Sequence, residues 1–402
     1  MPGRPPPVVE GFVGPAVGRG PEEVRRTNLR AVLRTVHARG PMTRSELTKL
    51  FGLNRSTIGA VTGELTELGL IRESLSSSPG PGRPSHLVEP DTDNAVVAVD
   101  VRVDEVEVAL ISLGGEIAMR RSKPHDPERP VDEMIELIAT MVDEVLHKQW
   151  PRRCLGIGVS VPGAITADGF VQYAPNVRWS HVPLVPLLSK RIGQRIVAGN
   201  DANLGVVAEH RRGAAVGYEH VAYLSCNVGI GGGFLVGGRP LEGGMGFAGE
   251  VGHLPVASEP ACRCGGAGCW ESKAGEGRLL ELAGHHPGAG PAAVAEVIAA
   301  AERGEREAVE AVAEVAHWTG VGLRGLINVF DPQIIVLGGS MGQLWDHHAG
   351  LIEEGMGHSA FRNARGDVIV RRAALGVDST LVGAAELAFG AVLDDPQSVA
   401  AR

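Results

Sequence analysis

The chain has no run of apolar residues long enough to span a bilayer. Its first residues, MPGRPPPVVEGFVGPAVGRGP, lack the apolar core of a secretory signal. Both absences point to a protein that stays in the cytoplasm without a membrane partner, and residues 1–20 are expected to form a flexible tail. Basic charge is scarce as well: the net charge of −9 argues against a chain that binds polyanions along its whole length. Cysteine is rare, five in 402 residues, yet Cys262, Cys264 and Cys269 fall within eight positions. In a reducing compartment such a group reads as a metal site rather than a disulfide framework.

What is present suggests two or three soluble globular domains. The chain is too long for one ordinary core, and its composition is 44% hydrophobic and 21% charged. Charge is spread unevenly. From Pro21 to Glu89 there are ten Lys/Arg against seven Asp/Glu, a balance of +3, while everything from Pro90 onward sums to −13. A locally basic module on an acidic body suits a specific DNA binder.

The basic module has the order of a winged helix-turn-helix. Leu29, Val32, Leu33 and Val36 repeat at helical spacing over Glu22–Ala38, and Gly40-Pro41 stops that helix. Thr43 and Glu46 have the spacing of a capping box, and Gly52 supplies a tight turn after the second helix. Asn54 is a good cap for a third helix with Ile58, Val61, Leu65 and Leu68 on one side. Arg55, Ser56, Thr57 and Thr62 are then expected on or near its outward face, where short polar and basic side chains reach base edges and phosphates. Two strands, Leu70–Glu73 and Ser85–Val88, flank a polar loop that forms a wing. Arg83 on that loop is placed to enter the minor groove. A small helical module that binds protein or nothing matches only part of this ordered set.

From Asn94 the pattern becomes α/β, with strands at Ala95–Val101, Val106–Ile111, Leu155–Val161, Val221–Ser225, Gly232–Val236 and Gln333–Leu337. Leu113-Gly114-Gly115 makes a turn after the second of these. Helices fall at Pro130–Lys148, Pro291–Glu302 and Arg306–Val329. The length suits two lobes around a cleft. Asn200-Asp201 follows an apolar strand, where ligands bind in α/β proteins. Glu250 and His253 follow a glycine-rich approach, and Glu271 closes the cysteine cluster. Carboxylates, amides and a histidine are the groups that hold sugar hydroxyls, which both donate and accept. Taken singly, each is equally a satisfied loop residue. Cys262, Cys264 and Cys269 with His253 make a Cys3His set, a known closed site for Zn2+, although the spacing is not that of a zinc finger or ribbon. Cys154 and Cys226 have no such company and are expected in the core.

At these residues the chain resembles the ROK family of repressors and sugar kinases, from about Pro21 to Leu393. It is similar in particular to the winged-helix repressor branch that includes xylose and N-acetylglucosamine repressors. The most specific match is Glu250-Val251-Gly252-His253 followed by Cys262-Arg263-Cys264-Gly265-Gly266-Ala267-Gly268-Cys269-Trp270-Glu271. Val161-Pro162-Gly163, Ala174-Pro175-Asn176, Gly199–Asn203, Gly229–Gly233 and Val336–Gly339 support it. The resemblance implies a two-lobed actin-like, ribonuclease H-like domain over 94–393, with lobes at 94–199 plus the C-terminal helix and at 200–376, behind a DNA-binding domain at 21–90. It implies a sugar held by Asn200, Asp201, Glu250, His253 and Glu271, with Gly163 and Asn176 lining the pocket and zinc fixing the loop.

Two departures bear on activity. The kinases of the family carry D-x-G-G-T at the first phosphate loop, where this chain has Asp100-Val101-Arg102-Val103-Asp104, and the Thr of the second loop is Val228. Without those glycines the backbone cannot approach a phosphate, and phosphoryl transfer depends on positioning. The expectation is therefore a repressor without enzymatic activity. It would bind an inverted-repeat operator as a homodimer or homotetramer and answer to a sugar or sugar phosphate. Head and body would be tied through Pro90–Asn94. The alternatives are an ATP-dependent hexose kinase with a DNA-binding head, and a structural zinc protein with a degenerate pocket.

Overall fold

The computed structural model describes residues 20–75, 85–148, 153–357 and 368–399. The head begins with α1 (Pro21–Arg39), which has Pro at its first turn beside Glu22 and Glu23 and ends at Gly40, φ 78°. Leu29, Val32, Leu33 and Val36 are fully buried, the stripe that the periodicity requires. After β1 (Met42–Thr43) comes α2 (Arg44–Phe51). The Thr43 hydroxyl accepts from the Glu46 N–H at 3.2 Å and the Glu46 carboxylate accepts from the Thr43 N–H at 2.7 Å, completing the capping box. Gly52, φ 64°, makes the left-handed turn into α3 (Arg55–Glu67), where Asn54 accepts from the Thr57 N–H at 2.7 Å. Strands β2 (Ile71–Leu75) and β3 (His86–Pro90) join β1 in an antiparallel sheet of order β1-β3-β2. The wing tip, with Arg83, lies outside the described residues.

Thr62 is a correction. It is fully buried and its hydroxyl points back at the Gly59 carbonyl. Position 62 follows Ile58 by four and precedes Leu65 by three, so it belongs to the inner stripe of α3 rather than its outer face.

The body holds two sheets built to one plan. In the first lobe, β4 (Asn94–Val101), β5 (Glu105–Ser112) and β6 (Ile117–Pro124) form an antiparallel meander. The strands β7 (Arg153–Val161) and β11 (Ile196–Asn200) continue it in parallel, giving the order β11-β7-β4-β5-β6. Helices α4 (Val131–Lys148) and α5 (Leu184–Ile192) belong to this lobe, and the strands β8 (Ala164–Ile165), β9 (Val171–Ala174) and β10 (Trp179–Val182) make a small separate sheet. In the second lobe β12 (Val221–Cys226), β13 (Ile230–Val236) and β14 (Arg239–Pro240) repeat the meander. Strands β15 (Ile334–Leu337) and β16 (Ile369–Arg372) extend it in parallel, so the order is β14-β13-β12-β15-β16. Helices α6 (Asp201–Arg212), α7 (Trp270–Ala274), α8 (Glu276–Leu282), α9 (Pro291–Glu302), α10 (Arg306–Phe330) and α11 (Gly339–Met356) complete it. The repeated plan is the architecture that the sequence resemblance implied.

The final helix, α12 (Ser379–Asp394), returns to the first lobe and packs on α6, β7 and β4. By length and hydropathy Gly376–Asp394 is apolar enough to cross a membrane, contrary to the sequence expectation, but 61% of it is buried inside the protein. A helix apolar nearly all round is what a core position between sheet and neighbouring helix demands. Cys226 is fully buried, whereas Cys154 is only half-buried at the start of β7.

Head and body share one core. Leu29, Leu33, Val36 and Leu65 belong to the same buried cluster as Val96, Ile111, Ala385, Phe389 and Val392. A polar node sits within this junction. The Glu386 carboxylate of α12, 2% exposed, accepts from Arg211 at 2.6 Å, from Arg212 at 2.6 Å and from His37 of α1 at 3.1 Å. The Gly114 N–H donates to His37 Nδ1 at 3.0 Å, so His37 carries its proton on Nε2. Burial pushes His37 below its ordinary value, with Glu386 opposing, and leaves it neutral near pH 7. Burial by itself would raise Glu386, but His37, Arg211 and Arg212 outweigh it and hold the carboxyl well below the usual range. The head is therefore seated on the body and not merely tied to it at Pro90–Asn94.

Candidate functional site

The cleft between the lobes gathers polar groups at the junction of β11 and α6. Asn200 ends the parallel strand and caps α6, its Oδ1 accepting from the Asn203 N–H at 3.0 Å. Its amide nitrogen donates to the Gly163 carbonyl at 3.1 Å and to Asp201 at 3.0 Å, while the Ala202 N–H donates to Asp201 at 2.8 Å. Burial pushes the Asp201 carboxyl up to about 7, Ala202 opposing and the charges of Asp100 and Glu250 adding to it. A carboxyl that titrates at neutral pH both accepts and donates, as a hydroxylated ligand requires.

Gly163 leaves room for a backbone crossing: a Cβ there would lie 2.6 Å from the Tyr173 carbonyl and from the Ala174 side chain. This close approach brings β9 to the cleft, and Asn176 follows it on the short 3-10 turn Pro175–Val177, half-buried. On the opposite lobe Glu250 precedes the turn Val251–His253. Partial desolvation raises the Glu250 carboxyl, with His253 opposing and Glu271 adding. His253 Nδ1 lies 3.6 Å from Glu271 Oε1, and Gly229 packs so close to Glu271 that a Cβ there would sit 2.7 Å from its carboxylate. Asn200, Asp201 and Gly163 thus form one hydrogen-bonded group, and Glu250, His253 and Glu271 cluster beside it, with His253 and Glu271 at ion-pair distance. The two groups face one another closely enough for Asp201 and Glu250 to interact.

The cysteine loop comes together as a possible metal centre. The ligand atoms of His253, Cys262, Cys264 and Cys269 all lie within 4.8 Å of one another. The Cys264 and Cys269 sulfurs are 3.5 Å apart and the Cys262 sulfur is 3.8 Å from His253 Nδ1. A tetrahedral ion with metal–sulfur bonds of ~2.3 Å spaces its sulfurs by about 3.8 Å, so the donor set fits one. The Gly266 N–H donates to the Cys264 sulfur at 3.5 Å, and Gly268, φ 64°, packs against the Ala257 carbonyl where a side chain has no room. Cys262 also lies 3.3 Å from Glu271, linking this centre to the polar cleft.

The stretch Asp100–Asp104 stands where the kinases that the sequence resembles carry their first phosphate loop. It is a tight hairpin between β4 and β5, closed by the Arg102 N–H donating to the Glu105 carbonyl at 2.9 Å. The Arg102 guanidinium pairs with Asp100 at 2.8 Å, Glu105 at 2.8 Å and Glu107 at 2.7 Å, and donates to the Val377 carbonyl at 3.2 Å. Thr380 donates to Asp100 at 2.7 Å, and Arg120 pairs with Glu107 at 3.0 Å. Three carboxylates and two guanidiniums satisfy one another here, a net negative environment with its cations engaged. Sequence reasoning noted the missing glycines but not this role of Arg102. Four acids within five residues of one arginine were the available signal.

On the head, Arg55 and Ser56 are exposed and Thr57 half-buried at the start of α3, with Gly59, Ala60 and Gly63 following along the outward side. The Ser56 hydroxyl donates to Asn54 at 2.7 Å. This surface is small and polar, which lets a groove approach the helix closely. Several arginines of α1 are already paired with acids: Arg25 with Glu64 at 2.8 Å, and Arg34 with Asp394 at 2.5 Å.

A model of the ROK family matches residues 96–391. The chain is 30% identical over 332 residues to a putative xylose repressor of Caldicellulosiruptor sp. (strain Rt8B.4), covering 78% of this chain and 83% of that protein. Among solved structures, a ROK family transcriptional regulator, a homologue of the E. coli MLC protein, aligns with a TM-score of 0.76 at 23% identity over 92% of this chain and 97% of its own. A ROK glucokinase from Streptomyces griseus, solved with glucose and AMPPNP, aligns with a TM-score of 0.63 at 25% identity over 73% of this chain and 98% of its own. The chain belongs to the ROK family.

Proposed function

We propose that this protein is a DNA-binding transcriptional repressor of carbohydrate-utilisation genes. A sugar or sugar phosphate in the cleft modulates its operator binding, and it is not an enzyme. The observation that carries this is Arg102. Its guanidinium ties Asp100, Glu105 and Glu107 together in the first phosphate loop, while Asn200, Asp201, Glu250, His253 and Glu271 remain as a polar cleft. Cradling a polyphosphate needs close backbone approach and free cations, whereas the Arg102 guanidinium is engaged by three carboxylates and its backbone N–H by the Glu105 carbonyl. The regulator's fold extends over 92% of this chain and the glucokinase's over 73%, which supports a head that serves regulation.

Within this reading Asn200, Asp201, Glu250, His253 and Glu271 hold the sugar, with Gly163 and Asn176 on the rim. His253, Cys262, Cys264 and Cys269 hold a structural Zn2+ that fixes the loop presenting Glu271. Arg55, Ser56 and Thr57 meet the major groove, and Arg83 completes the contact from the wing. Thr62 takes no part. The two domains are 21–90 and 94–393. Because one recognition helix reads few base pairs, a homodimer or homotetramer binds an inverted repeat.

A panel of D-xylose, D-glucose, N-acetylglucosamine and their phosphates tests the pocket by thermal shift. A ligand at 100 times its Kd adds about 2.7 kcal/mol, whereas no shift from any member refutes the sugar site. Turnover of any of these sugars with ATP at ~1 s⁻¹ or faster, read by ADP release, refutes the non-enzymatic reading.

A further inference from the structure

The node under the head has a direct mechanical link to the cleft. Asp201 is the first residue of α6 and Arg212 the last. The helix therefore spans about 17 Å between them. Its first turn is tightly packed, because glycines of two neighbouring elements press against it. A Cβ on Gly383 of α12 would lie 2.2 Å from the Leu204 carbonyl, and one on Gly233 of β13 would lie 2.2 Å from the Ala202 carbonyl. A shift at its N-terminus moves the whole helix.

At the other end Arg212 donates to three acceptors and lies against the His37 ring. It donates from Nε to Glu386 at 2.6 Å, from Nη1 to the Gly114 carbonyl at 2.7 Å and from Nη2 to the His37 carbonyl at 3.2 Å, with Nη2 also 2.8 Å from the His37 ring. The turn Gly114–Gly115 is its socket: with φ of 90° at Gly115, a Cβ there would lie 2.4 Å from the guanidinium carbon. Its partners lie on three other elements, α1, α12 and the β5–β6 turn, and Arg212 is 14% exposed. Leaving the socket would strand charges in a dry site, so head and α6 move together.

We infer that Arg212 is the coupling residue by which occupation of the cleft changes the DNA-binding head, with α6 as the rigid element between them. This rests on the proposed sugar-gated repressor. It assigns a role to the Leu113-Gly114-Gly115 turn that neither sugar nor DNA binding requires.

The test uses the full chain, a duplex selected from random sequence by the wild-type protein, and D-xylose from the panel above, replaced by the tightest-binding member if that differs. In wild type, saturating sugar should change DNA affinity by about 5–150-fold, the usual range of allosteric coupling. In Arg212→Gln, sugar affinity by calorimetry and DNA affinity without sugar should each stay within about threefold of wild type, while the sugar-induced change in DNA affinity falls below about twofold. Arg212→Lys, which keeps the charge but cannot reach Glu386, Gly114 and His37 at once, should fold and show the same loss. Hydrogen exchange gives a second readout: sugar should still protect Asp201–Asn203 in both variants, but its effect on the amides of α1 should vanish. A full sugar response in Arg212→Lys overturns the coupling route. A wild type that binds no member of the panel, or binds one without a change in DNA affinity, overturns the gated repressor itself.

Discussion

Glu386→Gln tests how firmly the head is seated. The carboxylate is 2% exposed and neutralises Arg211 and Arg212, which are 28% and 14% exposed. Removing one partner of a buried ion pair costs ~3–5 kcal/mol. The lower end applies here, because Arg211 can rehydrate and the amide oxygen keeps one acceptor, so a loss of about 3 kcal/mol is expected. That is a large share of a domain stability of about 5–15 kcal/mol, and it falls at the junction of α1 with α12. The head should therefore melt before the body. Pro21–Pro90 contains no Trp or Tyr, whereas Trp179 and Trp270 are buried in the two lobes. Tryptophan fluorescence thus reports the body alone, and far-ultraviolet circular dichroism reports both. In urea, Glu386→Gln should lose part of its helix signal below the fluorescence midpoint, whereas wild type shows coincident transitions. Coincident curves in the variant, with stability within about 0.5 kcal/mol of wild type, would refute the reasoning.

Other consequences are equally direct. Asp201→Ala should lose about 1.5–3 kcal/mol of sugar affinity with unaltered DNA affinity, the worth of a charge-assisted hydrogen bond, and Arg55→Ala should do the reverse; calorimetry and gel shifts on both variants decide. Because the Asp201 carboxyl is pushed up to about 7, its ionisation works against the folded state as pH rises through that value. Asp201→Asn should then raise the melting temperature more at pH 8 than at pH 5, and equal effects at both would count against it. His37 has the opposite sign: its folded value is lowered, so the unfolded chain takes up a proton that the native state refuses. Stability should fall with a slope of up to ~1.4 kcal/mol per unit as pH drops below ~6.5, and His37→Gln should flatten that slope. Protein purified without chelator should contain one zinc per chain, and Cys264→Ser should lower that content; a metal-free protein with an intact fold would rule the centre out.

Local order was legible in the sequence because it depends on groups three or four residues apart. The stripe of α1, the Thr43–Glu46 capping box, the Asn54 cap and the paired strands β4 and β5 are set by side chains that meet within one turn or one pleat. The cysteine loop was legible for the same reason, as three thiols in eight residues have little choice but to meet. Strand β6 escaped because Arg120, Arg121 and Lys123 break any apolar alternation; its pairing with β5 rests on backbone hydrogen bonds. Thr62 was misplaced because a polar side chain at an inner position looks like an outer one until the packing surface is known. Tertiary structure alone decided the rest. Arg102 fills the phosphate loop only because β4, β5 and the start of α12 converge on it. Arg212 and Glu386 lie 175 and 349 residues from His37, and no periodicity relates such positions. Two sheets of the same plan, and a last helix that returns to the first, carry them into a single desolvated node.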